Sequence, residues 1–259
     1  MKWIGLIAVI LTGGLLLSGV GDFANFGDPK GPAHAGVGGF SVSRYYITET
    51  EHDTKVPNIV TAVLGDYRGY DTMFETVVIF AAGISILAIL RTFGTGRPDR
   101  AAAFHDPSVD GDHQRIIVGT TARLTIPIIQ IFALYVVAHG HHSPGGGFQG
   151  GVMMGASFIL VALSRDLGSA LRRFSEKRFL AIACVGILIY SGFGLLCMAL
   201  ERNFLDYSTL HRILPATDPV MARSHGILGV EIGVAFTVTA IMFAIYANLS
   251  SKGRLDEGL

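Results

Sequence analysis

Charge is what this sequence has least of. Of 259 residues only 15% are charged, and acids and bases cancel to a net charge of zero. A soluble domain carries roughly 25% charged residues. The zero balance also lacks the basic surplus of a nucleic-acid-binding chain, so no nucleic acid is expected as a partner. Cysteine is nearly absent, with only Cys184 and Cys197. Thirteen helical residues would hold them about 20 Å apart along one helix, too far for a disulfide within it. They form no cluster of iron–sulfur or haem-ligand type, so no redox cofactor is expected. What is abundant is apolar side chain, at 50%, together with 33 glycines. That composition is that of a membrane protein.

Six apolar segments follow one another, each near the ~20 residues that a spanning helix needs. They run over Trp3–Val20, Tyr70–Leu90, Ile116–Ala138, Gly150–Leu163, Phe179–Leu200 and Ser224–Leu249. The expected fold is therefore all-α and polytopic, with about six transmembrane helices. The fourth segment is short and has to borrow residues from the glycine-rich connector before it. Lys2, a short apolar core and Leu17-Ser18-Gly19 also fit a secretory signal with a cleavage site. An uncleaved anchor is the expectation.

Residues 21–57 are polar and rich in Gly, Pro and His, with Gly36-Val37-Gly38-Gly39 in the middle and no sustained helical period. They are read as a long, extended extracytoplasmic loop that packs through Phe40, Tyr45 and Tyr46. Pro57 to Leu64 reads as a short interfacial helix. The connector at 91–115 carries Arg91, Arg97, Arg100 and Arg115, and that at 165–178 carries Arg165, Arg172, Arg173, Lys177 and Arg178. With six spans both connectors share one side with both termini. The positive-inside rule makes that side the cytoplasm, and the loops at 21–69, 139–149 and 201–223 face outward.

Two acids fall inside apolar runs. Glu75 lies about a turn and a half into the second span, and Glu231 about two turns into the sixth. A carboxylate at such depth costs several kcal/mol unless it is protonated, paired or wetted. Both are candidates for a proton or cation relay; solvation near the interface, or pairing with a neighbouring subunit, is the alternative. Arg123 either snorkels to the headgroups or answers a buried acid. Pro127 removes a backbone hydrogen bond and is expected to kink the third span. His225 and Glu231 are six residues apart and project from different faces of one helix.

Between the third and fourth spans stands His139-Gly140-His141-His142-Ser143-Pro144-Gly145-Gly146-Gly147-Phe148-Gln149-Gly150-Gly151. Three imidazoles suggest a metal site, yet no Cys, Asp or Glu is near in sequence and the spacing is not that of a zinc-protease helix. A phosphate-binding loop would need a lysine that is missing. The remaining reading is structural with a polar purpose. Pro144 stops the helix, and the glycines let backbones approach closely, with Gly150, Gly151 and Gly155 on one side of the fourth helix. The histidines then line a hydrated mouth and titrate near neutral pH.

Taken together, Arg123-x-x-x-Pro127, Tyr135 and the stretch from His139 to Gly151 resemble the MnhB/MrpB family, small subunits of the multi-subunit Mrp cation/proton antiporters. The resemblance covers about residues 115–250, and His225, Gly229 and Glu231 fit the family's last helix. Over about residues 57–95 a second resemblance holds. Asn58-Ile59-Val60, Asp66-Tyr67-Arg68-Gly69-Tyr70-Asp71-Thr72 and Glu75 are similar to the C-terminal end of the large MrpA subunit. The equivalent piece is a separate small subunit in membrane-bound hydrogenase-type relatives. The chain thus resembles a fusion: 1–95 as a two-helix MrpA-like element, 96–115 as a cytoplasmic linker, 116–250 as a four-helix MnhB-like domain and 251–259 as a tail.

These resemblances imply a transporter subunit without catalytic chemistry of its own, in a bacterial or archaeal cytoplasmic membrane. They imply transport of Na⁺ and H⁺ with no bound cofactor or metal. Partners would be MrpA- and MrpD-like large subunits and MrpC-, MrpF- and MrpG-like small ones. Glu75, in a matching motif, inherits the ion-passing role most directly; Glu231, His139, His141, His142, Arg123 and His225 follow. Pro127, Pro144, Gly145, Gly146, Gly147, Phe148, Gly150 and Gly151 are the structural motif. A subunit of an ion-pumping redox complex and a non-conducting scaffold are the rival expectations.

Overall fold

Residues 2–31, 41–93, 112–213, 218–251 and 253 are described by the structure, a computed structural model. Among them there is no strand. The chain divides into two units, residues 1–49 and 50–259.

In the first unit, α1 (Lys2–Val20) is apolar throughout, and its side chains from Trp3 to Val20 are almost all exposed. A helix apolar all round, with no stripe of polar side chains, is built for lipid. Over residues 42–54 the expected extended loop is corrected, because α2 (Val42–Thr54), which runs past residue 49, is helical. Its run Val42-Ser43-Arg44-Tyr45-Tyr46-Ile47 carries no glycine or proline, and the breakers that suggested a loop lie before it. Gly36-Val37-Gly38-Gly39 and Phe40 themselves fall outside the described residues.

Among its described residues the second unit is a bundle of five long helices. Asn58 caps α3 (Ile59–Ala62), its side chain accepting from Val60 N, and a π-helical turn (Val63–Tyr67) leads on to α4 (Gly69–Phe93). This is the short helix expected before the second span. Then come α5 (Asp112–Ala138), α6 (Gly147–Ser164), the connector helix α7 (Leu167–Arg173), α8 (Glu176–Ala199) and α9 (Pro219–Ser250). A 3₁₀ turn over Tyr207–Arg212 sits between the last two. Among the described residues six helices, α1, α4, α5, α6, α8 and α9, are long and apolar enough to cross a membrane. The chain is a multi-pass membrane protein. Arg97 and Arg100, most of the 96–115 linker and most of the 251–259 tail lie outside the described residues.

α9 is the hub. Of its apolar stretch 67% is buried, against 11% for α5 and 17% for α4. Asp218 caps it, accepting from Met221 N at 2.8 Å, and Pro219 occupies the first helical position, a start worth about 1 kcal/mol. Small residues bring its neighbours close. Cβ atoms added at Gly147, Gly151 and Gly155 would stand 2.0, 3.0 and 3.2 Å from the carbonyl oxygens of Glu231, Ala235 and Thr239. Both series advance by four, so α6 and α9 run parallel along a row of small residues. Gly150 is a correction: it faces α5, where an added Cβ would stand 2.9 Å from Ala133 O. α8 crosses α9 where Gly186 meets Gly233.

Polar contacts tie α9 at one end to the π-helical turn before α4 and at the other to the end of α4 itself. At one end Arg223 donates from Nε to Asp66 at 2.6 Å. At the other, Arg91 pairs with Glu176 and reaches Asn248 Oδ1 at 3.4 Å. Near this second end Phe158, Phe174, Phe179 and Phe243 form a ring cluster with centroids 4.6–6.0 Å apart. Each such ring pair adds about 0.5–1.5 kcal/mol beyond its buried area. α5 runs unbroken through Pro127.

Candidate functional site

The turn from α5 to α6 is built by its own residues and then clamped from outside. Gly146 N donates back to Val136 O at 3.2 Å, and Gly146 holds φ at +123°, a backbone state that needs glycine. α6 therefore begins at Gly147, recruiting the glycines for the membrane crossing. The clamp is Asn58. Its amide donates to Gly140 O at 2.8 Å and Ser143 O at 2.9 Å, and its backbone N–H donates to His141 O at 2.9 Å. Thr61 adds a hydroxyl on Gly140 O at 2.8 Å. Carbonyls of an irregular turn beside the membrane need such donors.

Under this turn lies a cavity of about 180 Å³, lined by both intramembrane acids, Glu75 and Glu231, with Thr61, Thr72, Thr76, Gln149 and Tyr190 as further polar wall. Gly145, Gly147 and Phe148 of the motif line it too. Glu75 is exposed and stands at the rim. Glu231 stands at the floor, where its Oε2 is buried with no hydrogen-bond partner. The glycines make room for this carboxyl. A Cβ on Gly146 would come within 2.8 Å of Oε1, and one on Gly140 within 3.0 Å of Oε2. The cavity is of a size to hold water, and its largely apolar wall brings the two carboxyls onto one space.

The histidines do not converge. His139 is exposed and stacks on Tyr135 with centroids 4.0 Å apart, and His142 is exposed as well. His141 turns inward, its Nδ1 3.3 Å from Ser224 Oγ and its Nε2 buried without a partner. Burial, with the nearby His142 and His225 adding to it, holds the His141 imidazole below its ordinary pKa. Arg123 and Pro127 belong elsewhere and line a separate cavity near the other end of α5. Pro144 is exposed on the turn.

The structure also adds residues that motif reading passed over. Asp66 and Arg223 pair beside the clamp, Arg223 lying over the Tyr67 ring at 5.6 Å. Tyr67 donates to Asp53 at 2.9 Å, and Tyr190 donates to Gly69 O at 2.9 Å. Burial raises the Asp66 carboxyl above the usual range, with Arg223 pulling the other way. The one sequence signal for the clamp was an Asn directly before a helical run, the mark of an N-cap.

Known proteins bear on this geometry. Residues 117–244 match the profile of a domain related to the MnhB subunit of Na⁺/H⁺ antiporter, and residues 38–106 match the profile of MbhE, a subunit of MBH. An uncharacterized protein of Methanocaldococcus jannaschii is 30% identical over 154 residues, which are 54% of this chain and 57% of that protein. The chain thus spans little more than half of that relative. A putative antiporter subunit mnhB2 of Staphylococcus aureus strain Newman is 27% identical over 135 residues, 52% of this chain and 94% of the mnhB2 protein. A chain of the Mrp complex from Dietzia sp. DQ12-45-1b superposes with a TM-score of 0.63 at 25% identity, over 96% of this chain and 26% of that one. A chain of the membrane-bound sulfane sulfur reductase, an archaeal respiratory membrane complex, shares the fold with a TM-score of 0.57 at 23% identity. That match covers 96% of this chain and 97% of the other.

Proposed function

Because residues 117–244 match a domain related to the MnhB subunit of Na⁺/H⁺ antiporter, we propose that this chain is a membrane subunit of an Mrp-type Na⁺/H⁺ antiporter and carries part of the ion path. The observation that bears the reading is the cavity in which Glu75 and Glu231 meet. A buried carboxylate with an unpartnered oxygen is costly as a bare anion. A proton or a small cation removes that cost. Charge passes when the rim acid and the floor acid take turns, with water in the cavity as the carrier.

In this reading the partners are MrpA- and MrpD-like large subunits and MrpC-, MrpF- and MrpG-like small ones. The N-terminal part is the counterpart of the MrpA C-terminal end, fused ahead of the MnhB-type domain. The match of nearly the whole chain to a quarter of a longer Mrp-complex chain supports that arrangement. The clamped turn faces outward and the arginine-bearing ends face the cytoplasm of a bacterial or archaeal cell.

Glu75→Gln and Glu231→Gln, each in the assembled complex, test the relay in inverted vesicles by Na⁺-driven collapse of a pH gradient. Each variant is expected to assemble normally and to lose at least about tenfold in rate, a barrier change of roughly 1.4 kcal/mol. Unchanged antiport in a fully assembled complex would reduce the chain to a scaffold. The match of residues 38–106 to MbhE favours a second reading, membrane-arm component of a redox-driven ion pump. Co-purification with iron–sulfur or nickel-site proteins, in place of antiporter subunits alone, would decide for it.

A further inference from the structure

A second cavity, of about 370 Å³, lies between α5, α6 and α7 and shares no residue with the one that holds the carboxyls. Three arginines line it, Arg123, Arg165 and Arg173, and Ile126, Pro127 and Phe158 give it an apolar wall. None of the three guanidinium groups has an ion-pair partner among the described residues. The carboxylate next in sequence, Asp166, accepts from Ser169 N and Oγ at 2.6 Å each and lies outside the cavity lining; it answers part of the charge of Arg165 and Arg172 and leaves a positive surplus on the cavity.

Depth says what the cavity accepts. Arg165 directly follows the last residue of α6 and so stands at headgroup level. Arg123 is six residues past Ile117, where the apolar run of α5 begins, or about 9 Å along the axis. An unpaired arginine there is costly and is relieved by reaching up to an anion at the interface. Three cations on one cavity repel one another until such an anion is present. Planar guanidinium groups match the oxygens of a phosphate in bidentate fashion. The apolar wall continues the site toward the hydrocarbon, where acyl chains begin. Basic pockets between helices on the positive side of a membrane hold acidic lipid headgroups in this way.

We infer that this cavity binds the phosphate group of an anionic phospholipid, held between Arg123, Arg165 and Arg173. The inference stands whichever complex the chain joins. Zwitterionic lipid brings its own cation and leaves the surplus positive charge unanswered, so acidic lipid is the preferred occupant.

The test uses the purified complex, delipidated by detergent exchange and titrated with short-chain phosphatidylglycerol, with phosphatidylcholine of the same chains, and with inorganic phosphate. Binding is read by native mass spectrometry in the wild type and in Arg123→Gln/Arg173→Gln. The wild type is expected to hold one more phosphatidylglycerol than the double variant, at an affinity about tenfold above that for phosphatidylcholine. Identical phosphatidylglycerol binding in the two proteins would overturn the inference. Occupancy of the arginine-dependent site by inorganic phosphate with no lipid uptake would overturn the lipid assignment. Should the double variant fail to assemble, Arg165→Gln, an exposed position beyond the end of α6, makes the same comparison.

Discussion

Arg223 Nε lies 2.6 Å from Asp66 Oδ2, across 157 residues of sequence and between two segments that match different families. Both side chains are largely buried. The pair therefore joins the segment that matches MbhE to the segment that matches MnhB by a charge-assisted bond. Removing one member of such a pair strands the other charge and costs about 3–5 kcal/mol. Arg223→Gln and Asp66→Asn should each lower the melting temperature of the purified complex. The double variant should lose less than the two single losses added, and strict additivity would show that the pair is uncoupled.

Asn58 holds three successive parts of the turn at once. Asn58→Ala strands the Ser143 carbonyl, takes a donor from that of Gly140 and removes the cap of α3, with an expected cost of about 2 kcal/mol. Asn58→Asp keeps the cap yet turns a carboxylate toward two carbonyl oxygens, and it should be the worse of the two. Protease nicking between residues 139 and 146 reports the loosened turn; equal resistance in all three proteins would count against the clamp.

At Gly147 the close approach is backbone to backbone, so no side chain can move aside. Gly147→Ala should push α6 away from α9 and cost about 2–3 kcal/mol. Gly119 has nothing within 4 Å of an added Cβ, and Gly119→Ala should be neutral or slightly stabilising. Thermal unfolding of the two variants side by side makes the comparison.

The His141 imidazole has a folded-state pKa below its ordinary value of 6.5, through burial and the nearby His142 and His225. The unfolded turn therefore takes up a proton that the folded turn resists. Stability is full above about pH 6.5 and falls as the pH drops through and below that value. Protection of the Gly145 and Gly146 amides from hydrogen exchange, taken relative to the intrinsic rate at each pH, should fall as the pH drops from about 7.5 to 5.5. His141→Gln should flatten the response. A slope that persists in that variant would show that His141 is not its source.

Spans were legible in this chain because lipid enforces length and apolarity segment by segment. Every expected span recurs within a few residues of its boundary. The family motif was legible for a related reason: Gly140, Gly146 and Gly147 are fixed by close approach, and close approach leaves a sequence trace. Long-range partners left none. Nothing local in Asp66 announces Arg223, and Asn58 reads as an ordinary cap until the turn it holds is placed against it. The meeting of Glu75 with Glu231 was hidden for the same reason, since two acids so far apart in sequence share a cavity only once α4 and α9 lie side by side. Gly150 was misassigned because a glycine's neighbours decide its face, and period alone put it beside Gly151.

Asp66 to Arg91 is a step of 25 residues, and so is Arg223 to Asn248. The turn before α4 and the far end of α4 are thus each joined to α9, and on α9 the two rungs are about 38 Å apart at 1.5 Å per residue, somewhat more than the ~30 Å of bilayer hydrocarbon. Sliding one helix along the other would break both rungs at once. A membrane of different thickness must therefore be met by tilt of the joined pair or by deformation of the surrounding lipid. The rungs at the two ends thus oppose a change of register between the helices that carry the cavity acids, and with it a change of the offset between Glu75 and Glu231.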